Sequence, residues 1–118
     1  MVRSLTSDER ALILLVLNAV PKTEPLQKQL DATVVVDEHI PTALSLRVEE
    51  EKERSEMSDG PLPGNYVVET PNGEPTGIFL LWIKNGQLSM MEHAWFTDEP
   101  PTGMPSPRSV VVQDKPVR

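Results

Sequence analysis

The stretch Gly77-Ile-Phe-Leu-Leu-Trp-Ile-Lys-Asn-Gly-Gln-Leu-Ser-Met-Met-Glu-His-Ala-Trp-Phe96 decides the fold. Two apolar runs meet at Asn85-Gly86, the dipeptide that best tolerates the positive φ angles of a type I′ turn. Neither run contains a proline, although the chain has 12 of them. The pattern predicts a β-hairpin over residues 77–96. With Asn85-Gly86 as the loop, Lys84 pairs with Gln87 and Ile83 with Leu88, and side chains alternate faces from there outward. That arithmetic puts Phe79, Leu81, Ile83, Leu88, Met90 and Glu92 on one face. Ile78, Leu80, Trp82, Ser89, Met91, His93 and Trp95 fall on the other. Both faces are apolar, so the hairpin is expected at the centre of the sheet, covered on both sides.

Upstream, Thr6-Ser-Asp-Glu9 has the spacing of a capping box. The apolar run Ala11–Leu17 follows, and Pro21 must end the helix before it. The run is too short to cross a bilayer, which takes about 20 residues, and Asp8-Glu9 is the wrong sign for a signal peptide. Thr23–Leu30 predicts a second, short helix with Pro25 in its first turn. Thr33–Val36 is a β-branched strand, Asp37–Thr42 a turn around Pro41, and Leu44, Leu46 and Val48 alternate as a strand with one wet face. Glu49–Glu56 carries five acids against two bases and lacks apolar periodicity. With the glycines and prolines after it, that run predicts a solvated, mobile loop. Asn65–Thr70 resumes a strand before the Asn72-Gly73 turn. The four prolines and one glycine between Asp98 and Pro107 exclude helix and inner strand. Ser109–Val112 reads as an edge strand.

The fold expected is therefore α+β in a single domain, 1–118. Helices at about 7–19 and 24–31 precede a mainly antiparallel sheet of about five strands over 33–112, with the Asn-Gly hairpin central. The acidic loop spans about 49–64, and residues 113–118 form a frayed tail.

Composition narrows function mostly by exclusion. The chain has no cysteine, so disulfides, thiolate nucleophiles and Cys-ligated zinc are ruled out, and a reducing, cytoplasmic setting is expected. A net charge of −7 disfavours nucleic acid and anionic membrane as partners, because both require a basic surface. The sequence holds no phosphate-binding glycine loop, nucleophile elbow or H-E-x-x-H. No cofactor is indicated.

Several short motifs occur together in one order. They are Leu5-Thr-x-x-Glu-Arg-Ala11, Leu26-x-x-x-Leu30, the strand leading to Asn85-Gly86, Met91-Glu-His-x-Trp95, Asp98-Glu-Pro-Pro101 and Pro105-x-Pro107. This arrangement resembles a group of small uncharacterised bacterial proteins, mostly actinobacterial, over about residues 5–112. The resemblance implies an architecture and no activity. Many members carry a cysteine cluster in mid-chain, where this sequence has Asp37, Glu38 and His39 instead, so no metal role follows for it.

The candidate sites are few. Glu92 and His93 are the weak catalytic candidates, a carboxylate and an imidazole near two tryptophans, but strand neighbours point to opposite faces and do not form a dyad. Beside Phe79, Glu92 would be desolvated, which is one way to build a general acid. The plainer reading is a Glu at the sheet margin. His39 and His93 with Asp37 or Glu38 lack the spacing of a metal site, so no metal is assigned. Trp82, Met91 and Trp95 form either core or a binding interface. The acidic run is either a solvated loop or a mimic of an acidic ligand for a basic partner. Two function classes follow. One is a non-enzymatic interaction or accessory protein, of which an immunity-protein-like masking domain is one version. The other is a small enzyme or ligand-binding domain with a helix–sheet pocket near Glu92 and His93. The apolar surplus on the Trp82 face requires a cover, either the Pro100–Pro107 segment or a second copy in a homodimer.

Overall fold

Thr6 starts the first helix as its spacing requires. In the computed structural model, which describes residues 2–50 and 52–113, the Thr6 hydroxyl accepts the Glu9 amide at 3.1 Å. The Glu9 carboxylate accepts the Thr6 amide at 2.9 Å, closing the capping box. Helix α1 runs Ser7–Asn18, and α2 runs Glu24–Gln29 with a 3-10 turn at Leu30–Ala32. Both helices stop short of the expected ends. The Ala19 amide already bonds back three residues to Val16 (3.2 Å), and the Leu30 amide bonds back three to Gln27, so each last turn tightens before the chain leaves it.

The sheet has eight strands among the described residues, not about five. They are β1 (Arg3–Ser4), β2 (Thr33–Ile40), β3 (Ala43–Val48), β4 (Gly60–Pro61), β5 (Asn65–Glu69), β6 (Pro75–Lys84), β7 (Gln87–Trp95) and β8 (Val110–Gln113). The order across the sheet is β1-β2-β3-β7-β6-β5-β8, with β4 alongside the far end of β6, and every pair is antiparallel. The β6–β7 hairpin is central, as its two apolar faces require. The surplus over the expected number comes largely from β1 and β4, which have two residues each and leave no periodic signal. Strand β2 also continues through Asp37–Ile40, where a turn was expected, so that only Pro41 and Thr42 turn the chain into β3. The tail beyond Gln113 lies outside the described residues.

Both helices pack on one face of the sheet. Leu12, Ile13, Val16 and Leu17 of α1 and Leu26 of α2 are fully buried against Val35, Leu44, Leu46, Tyr66, Val68, Phe79, Leu81, Ile83, Leu88 and Met91. This is a two-layer arrangement, a helix layer on a single sheet. Among the described residues no helix is long and apolar enough to cross a membrane.

The register of the hairpin departs from simple alternation at one place. Asn85 and Gly86 have φ of 53° and 73°, the turn predicted, and Lys84–Gln87 and Ile83–Leu88 pair as expected. The next pair is Trp82–Met90 and not Trp82–Ser89: β7 carries one extra residue there, a β-bulge. An inserted residue shifts the phase of everything beyond it. From that point Met91 pairs with Leu81 and His93 with Phe79, on the helix-covered face, while Met90 and Glu92 move to the opposite face with Trp82 and Leu80. The β3 side agrees, because Leu44 of the core pairs with Met91, and Ser45 and Ala43 pair with Met90 and Glu92.

The expected placement of Met91 and His93 beside Trp82, and of Glu92 beside Phe79, is thus reversed by a single bulge.

A candidate interaction surface on the bare sheet face

The face opposite the helices is built by every second residue of the central strands. Strand β6 contributes Ile78, Leu80 and Trp82, β7 contributes Met90, Glu92 and Ala94, and β3 contributes Ala43 and Ser45. The first six and both β3 residues are half-buried. Beyond β6, Val67 pairs with Ile78 and Val111; Val67 is fully buried, and Val111 on the edge strand is exposed. At the opposite margin Ile40 pairs with Ala43, and Phe96 follows Ala94 by two residues with its amide still bonded to Thr76 (2.8 Å). Ile40 and Phe96 are 57% and 58% exposed, unusual values for such large apolar groups.

The Pro-rich segment does not cover this face. The carbonyl of Gly103 lies 3.0 Å from His93 Nδ1, on the helix side, so Nδ1 carries the proton and donates. Met104 packs against the core there, and the 3-10 turn Pro107–Ser109 meets α1. Trp82, Leu80 and Met90, all half-buried, lie on the face away from that segment.

Trp82 and Glu92 lie diagonally across the hairpin, and the indole Nε1 donates to Glu92 Oε1 at 3.0 Å. The bond satisfies the only polar atom of the indole, which is the largest side chain of the face. A cleft of about 410 Å³ opens beside it, lined by Trp82, Met90, Ser45, Ser89, Lys84 and Asp59.

The sequence candidates sort as follows. Glu92 and His93 point to opposite faces, as strand neighbours must, and Glu92 meets an indole and not Phe79. His93 is buried and tied at two points, its amide to the Thr42 carbonyl (2.8 Å) and its ring to Gly103. Neither lines any of the five clefts described for this molecule. Of the three interface candidates Trp82 is on the bare face, Met91 is fully buried in the core, and Trp95 is 41% exposed at the end of β7, opposite Gly77. His39 is exposed near the β2–β3 turn, its amide held by Asp37 Oδ1 at 2.9 Å. Among the described residues no group of three His, Cys, Asp or Glu is arranged to hold a metal.

Sequence reasoning missed Met90, Ala43 and Ser45 as parts of one surface. The signal available was the alternation in β3, whose small residues Ala43 and Ser45 fall on the face away from Leu44 and Leu46.

A second concavity of about 690 Å³ lies between the α1–α2 connection and the acidic segment, lined by Lys22, Lys28, Arg54, Glu53 and Met57 among others. Its charges are mixed, and Lys28 and Glu53 already pair across it at 3.4 Å. The acidic segment itself is held down near the hairpin turn. Ser55 is buried and donates its amide to the Gly86 carbonyl (2.9 Å), and Arg54 donates to the Asn85 carbonyl (2.9 Å).

No protein-family model, curated protein sequence or solved structure matches this chain.

Proposed function

We propose that this chain is a non-enzymatic, cytoplasmic interaction protein whose working surface is the bare sheet face centred on Trp82, Leu80 and Met90. The observation that carries the reading is the position of Trp82. It is a large, half-buried aromatic on the face away from both helices, with its only polar atom satisfied within the chain by Glu92. Such a residue presents a flat apolar ring without an unpaired donor, and aromatics and Met are the residue types enriched where proteins dock. The opposite facing of Glu92 and His93 supports an interaction role over acid–base chemistry, because the two groups do not share a site. The resemblance to small actinobacterial proteins is part of the same proposal and adds an architecture to it.

A photo-crosslinking residue at position 90, compared with one at position 28 on the helix side, tests the reading in host-cell extract. The expected result is a discrete adduct from position 90 that Trp82→Glu abolishes. Adducts from position 28 alone, or from neither position, would overturn it.

A further inference from the structure

An apolar sheet face chooses its partner through the few charges set among its side chains, and on this face carboxylates outnumber bases around an aromatic ring. We propose, resting on the reading just given, that the partner is basic. The geometry fits an extended protein segment that seats an arginine on Trp82 against Glu92 and sets a second cation at Asp37.

The register places these groups. Asp37 pairs with Ser45, Ser45 with Met90, Met90 with Trp82 and Trp82 with Pro61, so one row of residues crosses five strands. Residues paired directly across a ladder share a face, which puts Asp37 on the side of Trp82. Neighbouring strands stand about 4.8 Å apart, so the two are separated by about 14 Å. Glu92 lies in the next row, between Ala43 and Leu80, and Asp59 lines the cleft beside Trp82.

The charges then select the partner. The bases of this region are Arg47 and Lys84. Arg47 is held by Glu49 at 2.8 Å, which leaves Lys84 against three carboxylates, Asp37, Asp59 and Glu92. Asp37 and Asp59 each give one oxygen to a backbone amide, that of His39 and that of Asn85, both at 2.9 Å. An amide donor orients a carboxylate and leaves its charge in place. The net charge of −7 draws the same class of partner from a distance.

The surroundings of Trp82 favour arginine over lysine. Glu92 Oε1 accepts the indole N–H at 3.0 Å, and among the described residues no group donates to Oε2. A cation above the ring is attracted by its π system, and a carboxylate at the ring's edge can take a charge-assisted bond from the same cation. A planar guanidinium stacks on the indole while its edge donates to Oε2, whereas an ammonium must favour one contact. The hydroxyls of Ser45 and Ser89 line the same cleft and offer further acceptors. A small free cation would fill only that cleft. Reaching Asp37 as well takes a chain, and an extended chain covers about 14 Å in roughly four residues, so the two cations stand at i and i+4.

NMR titration of the purified full chain with the capped peptide Arg-Leu-Gly-Leu-Arg tests this. The two tryptophans give separate indole N–H signals, assigned with Trp95→Phe. The expected result is a saturable shift of the Trp82 signal below about 10 mM peptide, with none at Trp95, at the end of β7. The lysine version of the peptide should bind several times more weakly and the glutamate version not at all, and added salt should weaken the arginine peptide. Glu92→Gln keeps an oxygen for the indole N–H, and Asp37→Asn keeps one for the His39 amide. Each removes a charge without removing an internal bond and is expected to weaken binding by about tenfold. No saturable shift at Trp82, an equal response to the glutamate peptide, or unchanged affinity in both variants overturns the proposal. If the arginine peptide fails while position 90 still gives a Trp82-dependent adduct in extract, the interaction reading stands and the basic partner falls. If neither occurs, both fall.

Discussion

The side chain of Gln29 in α2 accepts the backbone amide of Leu88 at 3.0 Å, across 59 residues of sequence and in a site closed to solvent. Its amide group donates to the carbonyls of Gly86 (2.9 Å) and Glu53 (3.0 Å). One glutamine thus joins the helix layer, the turn of the central hairpin and the acidic segment. It acts where the hairpin most needs support, next to the bulge that interrupts the β6–β7 ladder. A fully buried polar side chain is tolerated only when its hydrogen bonds are made, and Gln29 makes three.

Gln29→Met keeps the volume and removes all three bonds. The Gly86 carbonyl retains the Ser55 amide, so the main loss is the orphaned Leu88 amide, together with the tie to Glu53. We expect a cost of about 2–3 kcal/mol, read as a lower denaturation midpoint, with faster exchange of the Leu88 amide. Wild-type exchange at Leu88 would show that the bond is dispensable.

Gly86 and Gly73 have similar left-handed φ, 73° and 83°, in different surroundings. A Cβ at Gly73 meets nothing within 4 Å, whereas at Gly86 it would lie 2.5 Å from the Ser55 carbonyl oxygen and 3.1 Å from the Ser55 nitrogen. Gly73→Ala should therefore cost only the backbone strain of about 1 kcal/mol. Gly86→Ala should cost clearly more, because the acidic segment must move off the turn. Equal unfolding midpoints for the two variants would contradict this.

Glu9 predicts a pH dependence. Burial opposes its ionisation, but hydrogen bonds from the Arg3 guanidinium and the Thr6 amide outweigh burial and hold its carboxyl below the ordinary value. Arg3 binds it through two nitrogens at 2.9 Å each and reaches Glu38 with the third, and those bonds hold the guanidinium charged. A carboxyl depressed in the folded state contributes stability that is complete above its unfolded pKa, about 4.3, and is lost as pH falls through the folded value. The stability gap between wild type and Glu9→Gln should be constant near neutrality and close below about pH 4. A gap that persists unchanged into strong acid would remove Glu9 from the account.

Much of this fold was legible because its signals are local. Asn85-Gly86 names its own turn, Thr6 and Glu9 name their own cap, and a hairpin apolar on both faces has to lie inside a sheet. The face assignment was not legible, because it depends on counting outward from the turn. Ser89 is an unremarkable polar residue, and Met90-Met91 presents two equally apolar side chains in a row, so nothing in the composition marks where the count slips. The Pro-rich segment was equally silent about its side of the sheet, which is settled by a contact between residues ten apart, His93 and Gly103. The candidate surface was only one-third visible: Trp82 was in it, Met91 was in the core, and Met90 took its place.

That substitution of one methionine for its neighbour is the centre of the account, since the bare face exists only if the bulge is where we find it. Met91 is fully buried and Met90 is half-exposed on the other side. Denaturant unfolding of Met91→Ala and Met90→Ala, at protein concentrations low enough to exclude association, measures the difference directly. We expect Met91→Ala to lose about 2–5 kcal/mol, as for a large side chain removed from a packed core, and Met90→Ala to lose less than about 1 kcal/mol. The opposite order would mean that alternation runs unbroken from the turn, that Glu92 faces the helices, and that the proposed surface is not there.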